Sequence, residues 1–85
     1  MNSLDTLGQR LGNAALTTLV RLCPEIRTAS PARQEAACAA MRAKAGEAID
    51  ELLADAKTAP WLAEVAFTSA VMTLVNEGIR ALRAG

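Results

Sequence analysis

Residues 61–83 read WLAEVAFTSAVMTLVNEGIRALR, and this stretch decides the fold. Large apolar side chains recur in it at steps of three, four and seven residues, the spacing of one side of an α-helix. They are Trp61, Val65, Met72, Val75, Ile79 and Leu82. A second apolar sector lies beside the first and is formed by Phe67, Ala70, Val71, Leu74 and Gly78. A surface helix has a narrower apolar stripe, so the sequence predicts that this helix is covered on more than one side.

We divide this helix into a core sector and an interface sector. The core sector is predicted to consist of Trp61, Val65, Met72 and Ile79. The interface sector, predicted to contact a second chain, consists of Phe67, Val71 and Leu74. A chain of 85 residues forms one modest core, which covers both sectors only with difficulty. A homodimer with two-fold symmetry or a higher oligomer is therefore expected.

The remaining sequence predicts two further helices, at about residues 4–23 and 31–57, with the third at 60–83. Pro24 ends the first helix, and Ser30 followed by Pro31 is a favourable start for the second. Gly8 and Gly12, four residues apart, suggest a close approach of another backbone to the first helix. No run alternates between apolar and polar residues, so no strand is predicted. The expected fold is all-α, a three-helix bundle or a helical hairpin with an additional helix, and a single domain over residues 1–85.

Charge is unevenly distributed although the net charge is zero. Residues 1–45 contain six basic and three acidic residues, a balance of +3, and residues 46–85 contain three basic and six acidic residues, a balance of −3. This predicts pairing between the two halves, within one chain or between chains. Within the second helix, Lys44 is expected to pair with Glu47 or Glu51, and the alternative is that a partner chain supplies the opposite charges.

The composition argues against most catalytic and metal chemistry. The chain has no histidine, which removes the commonest general base near neutral pH and the commonest zinc ligand. Two cysteines, Cys23 and Cys38, do not make a zinc site, and we expect them to be reduced, buried and inert. A disulfide between them remains an alternative. We predict no enzyme activity, no metal and no cofactor.

The main alternative function is binding of nucleic acid or of an anionic nucleotide. Arginine side chains of the first two helices could bind the phosphates of such a ligand if the fold aligns them. They are Arg10, Arg21, Arg27, Arg33 and Arg42. Single-strand binding also uses exposed aromatic residues, and Trp61 and Phe67 are the only aromatic residues of the chain. Nucleic-acid binding is therefore the second hypothesis.

The leading hypothesis is a non-catalytic protein–protein interaction module that acts as a homo-oligomer, with a further protein as its partner. We expect a cytoplasmic protein without a membrane span, because no targeting signal or long uninterrupted apolar run is recognisable. In size and composition the chain resembles small alanine- and arginine-rich helical regulators of phages and plasmids, including inhibitors of bacterial defence systems. This resemblance implies an adaptor, inhibitor or regulatory role, and we assign no residue from it.

Overall fold

The computed structural model describes residues 3–84, with side chains from position 6 onward. Three α-helices follow one another: α1 spans Ser3–Leu22, α2 spans Pro31–Thr58 and α3 spans Pro60–Arg83. A short 3-10 helix, Pro24–Arg27, connects α1 to α2. The described residues contain no strand and pack as a helical bundle, so the prediction of an all-α fold is confirmed.

Prolines and one serine cap set the helix boundaries. α1 ends before Pro24, because Cys23 leaves the helical region with φ −134° and ψ 70°. α2 begins at Pro31, and the Ser30 hydroxyl caps it by accepting a hydrogen bond from the Arg33 N–H at 3.3 Å. The start of α2 predicted from Ser30 and Pro31 is therefore confirmed.

One extended residue reverses the chain between α2 and α3. Ala59 has φ −159° and ψ 136°, and Pro60 begins α3 directly after it. So short a connection makes the two helices antiparallel neighbours, and they form the most extensive contact in the bundle. At the other end, the Arg83 Nε donates to the Glu25 Oε1 at 2.9 Å. The C-terminal end of α3 thus lies beside the 3-10 helix, and the turn at Ala59 forms the opposite tip.

The core is formed by one face of each helix. α1 contributes the fully buried Leu11, Ala15 and Leu19, and the fully buried Cys23 follows directly after it. α2 contributes Ala37, Met41, Ala48 and Leu52. α3 contributes Ala70, Val71, Leu74, Val75 and Leu82. Because two of these four buried α2 residues are alanine, the α2 face lets its neighbours approach closely.

The three helices approach one another closely at Gly78. A Cβ atom at this position would lie 2.9 Å from the Met41 Sδ and 3.3 Å from the Leu19 Cδ2. Side chains of α1 and α2 therefore occupy the space that a larger residue on α3 would need. The close approach predicted at Gly8 and Gly12 is wrong, because a Cβ at Gly8 makes only an ordinary 3.6 Å contact and one at Gly12 meets nothing within 4 Å.

The structure corrects the assignment of the two sectors of α3. Val71 and Leu74, predicted at an interface, are 8% and 1% exposed and belong to the core of a single chain. Trp61 and Val65, predicted in the core, are 68% and 58% exposed. The physical reason is that α1 and α2 both pack on the side of α3 that contains Gly78. Phe67 from the interface sector and Ile79 from the core sector are half-buried against the core.

Candidate functional site

The candidate site is a line of exposed apolar side chains on α3, which we call the α3 stripe. It consists of Trp61, Val65 and Met72, with exposed fractions of 68%, 58% and 37%. Their steps of four and seven residues keep them on one line along the helix. The half-buried Ile79 continues this line by another seven residues. The stripe thus runs from the tip of the hairpin to the middle of α3 and joins the core at Ile79.

The side of α3 on which the other helices pack explains why the stripe is exposed. Leu19 of α1 and Met41 of α2 both contact α3 at Gly78. Trp61, Val65 and Met72 lie about 100–140° away from Gly78 around the helix, at 3.6 residues per turn. The stripe therefore faces away from the two neighbouring helices.

One sequence feature could have identified the α3 stripe. Ser69, Asn76 and Arg80 are polar, and they lie beside Val65 and Met72 on a helical projection. Polar neighbours mark the solvent side of a helix. These polar neighbours indicate an exposed stripe, in contrast to the prediction that Trp61, Val65 and Met72 belong to the core.

A groove of about 410 Å³ opens beside the α3 stripe. Its walls are the apolar side chains of all three helices near the tip, among them Leu7, Leu53 and Phe67. Arg10 and Glu64 also line this groove. The Arg10 guanidinium lies 5.5 Å from the centre of the Phe67 ring, within the distance of a cation–π interaction. Phe67 is therefore a wall of the groove and a partner of Arg10.

The arginines predicted to bind anions do not share one groove. Arg21 and Arg27 line a shallow groove near the start of the 3-10 helix, whereas Arg10 lines the groove at the tip. Arg42 forms an ion pair with Glu35, and Arg33 donates from its Nη1 to the Leu82 carbonyl at 3.4 Å. Of the five arginines, Arg21 and Arg27 are the two that line one groove together. The hypothesis remains a prediction for these two residues.

Both cysteines are free thiols in the structure, so the alternative of a disulfide is not realised. Cys23 is fully buried as predicted, whereas Cys38 is only half-buried. Burial is the main cause that raises the pKa of the Cys23 thiol, and the neighbouring Glu25 carboxylate adds to it. The same thiol and the Arg83 guanidinium lower the pKa of Glu25. Cys23 is consequently a poor nucleophile at neutral pH.

We expect one thiol per folded chain to react with an aromatic disulfide reagent at neutral pH. Cys38 is accessible, whereas the buried Cys23 thiol reacts only when the protein unfolds locally or globally. The absorbance of the released thiol should show one equivalent in buffer and two in denaturant. Cys38→Ser should abolish the reaction of the folded protein, and Cys23→Ser should cost about 1–3 kcal/mol because it places a hydroxyl in the core. Two equivalents released at one rate from the folded wild type would contradict this assignment.

Two further properties of the described residues bear on function: their capacity to hold a metal ion, and the length and hydropathy of α3. Among the residues that the structure describes, no group of three or more Cys, Asp and Glu side chains is arranged to hold a metal ion. By length and composition alone, α3 could cross a membrane, with a mean hydropathy of 1.2 over its most apolar window, of which 28% is buried. This is weak evidence, since the core helix of a soluble protein passes the same test.

Comparison of the chain with protein-family models, with curated proteins and with solved structures found no match. The features of the chain that bear on its function are the α3 stripe, the groove and the charges.

Proposed function

We propose that this protein is a non-catalytic protein–protein interaction module that associates with itself through the α3 stripe. The observation that supports this proposal is the exposure of Trp61 and Val65, at 68% and 58%, on one line of one helix. Singly scattered apolar residues are normal on protein surfaces, whereas a contiguous set indicates an interaction surface. Aromatic residues and methionine are also enriched in protein interfaces, and the α3 stripe contains one of each.

The spacing of the stripe suits a partner helix. Trp61, Val65, Met72 and Ile79 follow steps of four, seven and seven residues, as in the apolar seam of a coiled coil. Thr68 occupies the remaining position of this seam between Val65 and Met72. A helix that packs here would bury the stripe and leave the core of the bundle unchanged. The interaction surface predicted from sequence is thereby moved from Val71 and Leu74 to the opposite sector of α3.

Substitution of Val65 by aspartate should weaken self-association by at least about tenfold, because the charge would lose its water in the interface. Val65 is 58% exposed in the single chain, so its replacement should leave the bundle folded. Sedimentation equilibrium should show a dimer for the wild type, twice the chain mass of 8.9 kDa, and a dissociating species for Val65→Asp. Circular dichroism should show the same helix content in both proteins.

Ala43→Asp is the matched control. Ala43 is exposed on α2, so this variant adds the same charge away from the α3 stripe and should associate like the wild type. A wild-type mass of 8.9 kDa throughout the micromolar range, or equal association of Val65→Asp and wild type, would refute the proposal. Flotation with phosphatidylcholine vesicles tests the remaining alternative. If the wild type is a monomer that binds the vesicles, and Val65→Asp does not bind them, the stripe contacts a lipid surface instead of a second chain.

A further inference from the structure

The bundle separates its charges along its longest dimension of 41 Å. The half that contains the 3-10 helix comprises residues 14–43 and 74–84, and we call it the basic half. It carries six arginines and three glutamates, a balance of +3. The half that contains the hairpin tip comprises residues 6–13 and 44–73, and we call it the acidic half. It carries Arg10, Lys44 and Lys57 against five carboxylates, a balance of −2.

The fold leaves this separation uncompensated within one chain. Three of the four ion pairs of the described residues lie inside the basic half: Arg42–Glu35, Arg80–Glu77 and Arg83–Glu25. The fourth, Lys44–Glu47, confirms the predicted local pair and lies at the junction of the halves, with an Nζ to Oε2 distance of 2.8 Å. No ion pair among the described side chains joins an arginine of the basic half to the carboxylates near the tip. The pairing predicted between residues 1–45 and 46–85 is therefore confirmed within the chain by Lys44–Glu47 and Arg83–Glu25. The other carboxylates near the tip take part in none of these four ion pairs.

We infer that the partner of the α3 stripe is a second copy of this chain, packed antiparallel about a two-fold axis near Met72. This inference rests on the proposed function, since it names the partner and orientation at the same surface. An antiparallel arrangement places the acidic half of each copy beside the basic half of the other. A parallel arrangement would place like charges side by side, which is unfavourable. The charge distribution thus selects both the occupant and its direction.

The position of the axis follows from the overlap of the two α3 helices. Full overlap of Pro60–Arg83 with its own reversed copy puts the centre between positions 71 and 72, where Met72 is exposed. Each Val65 then lies within one residue of the level of Ile79 of the second copy, and each Trp61 within one residue of the level of Arg83. An arginine near an indole ring is a favourable neighbour. The apolar stripe of one copy thereby covers the partly exposed continuation of the stripe in the other.

Distances between spin labels on the two copies test the orientation. Lys57 and Ala84 are exposed and lie at opposite ends of the bundle, and Cys38→Ser removes the accessible native thiol. In the antiparallel dimer, labels on Lys57→Cys of both copies should be separated by at least about 36 Å, the length of 24 helical residues. In a mixture of singly labelled Lys57→Cys and Ala84→Cys chains, a second population at roughly 10–20 Å should appear, as expected for adjacent helices. Dilution with unlabelled chains is the control, because it must remove both signals.

The possible results separate the inference from the proposed function. A long distance between the Lys57 labels together with a short distance from Lys57 to Ala84 would support the antiparallel dimer. A dimer with a short distance between the Lys57 labels would overturn the inference and leave the self-association intact. Masses above the dimer that grow with concentration would indicate a head-to-tail assembly and also overturn it. A labelled protein that sediments as a monomer would refute both.

Discussion

Leu74→Ala is expected to lower the free energy of unfolding by about 2–5 kcal/mol, the usual range for a leucine deleted from a core. Leu74 is 1% exposed and belongs to the cluster that joins all three helices. Truncation would leave a cavity that the neighbouring helices fill only in part. A domain of 85 residues has a total stability of roughly 4–13 kcal/mol, so this variant should be partly unfolded at moderate temperature.

Met72→Ala is the matched control for Leu74→Ala, because Met72 lies two residues away on the same helix and is 37% exposed. Its cost should remain below about 1 kcal/mol, as for most surface changes. Both variants are best compared by urea denaturation in the Val65→Asp background, where dissociation does not add to the measured stability. Equal midpoints for the two variants would show that the structure assigns the sectors of α3 wrongly.

Gly78→Leu is expected to be the second strongly destabilising change, at about 1–3 kcal/mol or more. Even a Cβ atom at this position would lie 2.9 Å from the Met41 Sδ, and the longer side chain would force Met41 and Leu19 apart. Gly78→Ala should be milder, because the flexible end of Met41 can move and alanine favours the helix by about 1 kcal/mol over glycine. Thermal denaturation followed by circular dichroism should give a clearly higher melting temperature for the wild type than for Gly78→Leu.

Gly12→Ala is the control for the glycine in the core. Gly12 is exposed within α1, and a Cβ there meets no heavy atom within 4 Å. The substitution should therefore raise stability by about 0.5–1 kcal/mol through helix propensity alone. If Gly78→Leu were as stable as Gly12→Ala, the close contact among the three helices at Gly78 would not exist in solution.

The interface and the charge separation depend on each other. The α3 stripe supplies apolar area, which drives association without specifying direction. Charges at the two ends supply direction, because opposite halves attract and like halves repel. Exposed charges are screened over about 8–10 Å at ordinary salt, so they act only when the halves of two copies lie side by side. The antiparallel dimer is the arrangement that uses both features of the surface.

The site could be predicted only in part from the sequence. The apolar residues of α3 were all recognised, and the breadth of the apolar surface correctly singled out this helix. Their division failed because helical periodicity fixes the angle between two side chains but gives no direction for the neighbouring helices. Val71 is therefore predicted at an interface although it is buried in the core, and Trp61 is predicted in the core although it is exposed. The groove at the tip, with Arg10 above Phe67, joins residues 57 positions apart, and no local pattern indicates such a contact.

The sequence by itself determined the helices and their connections. Pro24, Ser30, Pro31 and Pro60 fix the boundaries through backbone geometry and hydrogen bonding, which act over a few residues and can be read locally. Only the tertiary structure decided which face of α3 is buried, that Gly78 is where the three helices meet, and that the charges lie at opposite ends. The physical reason is that burial and long-range electrostatics depend on which helices become neighbours. Trp61 and Val65 are exposed because α1 and α2 both pack on the side of α3 that contains Gly78.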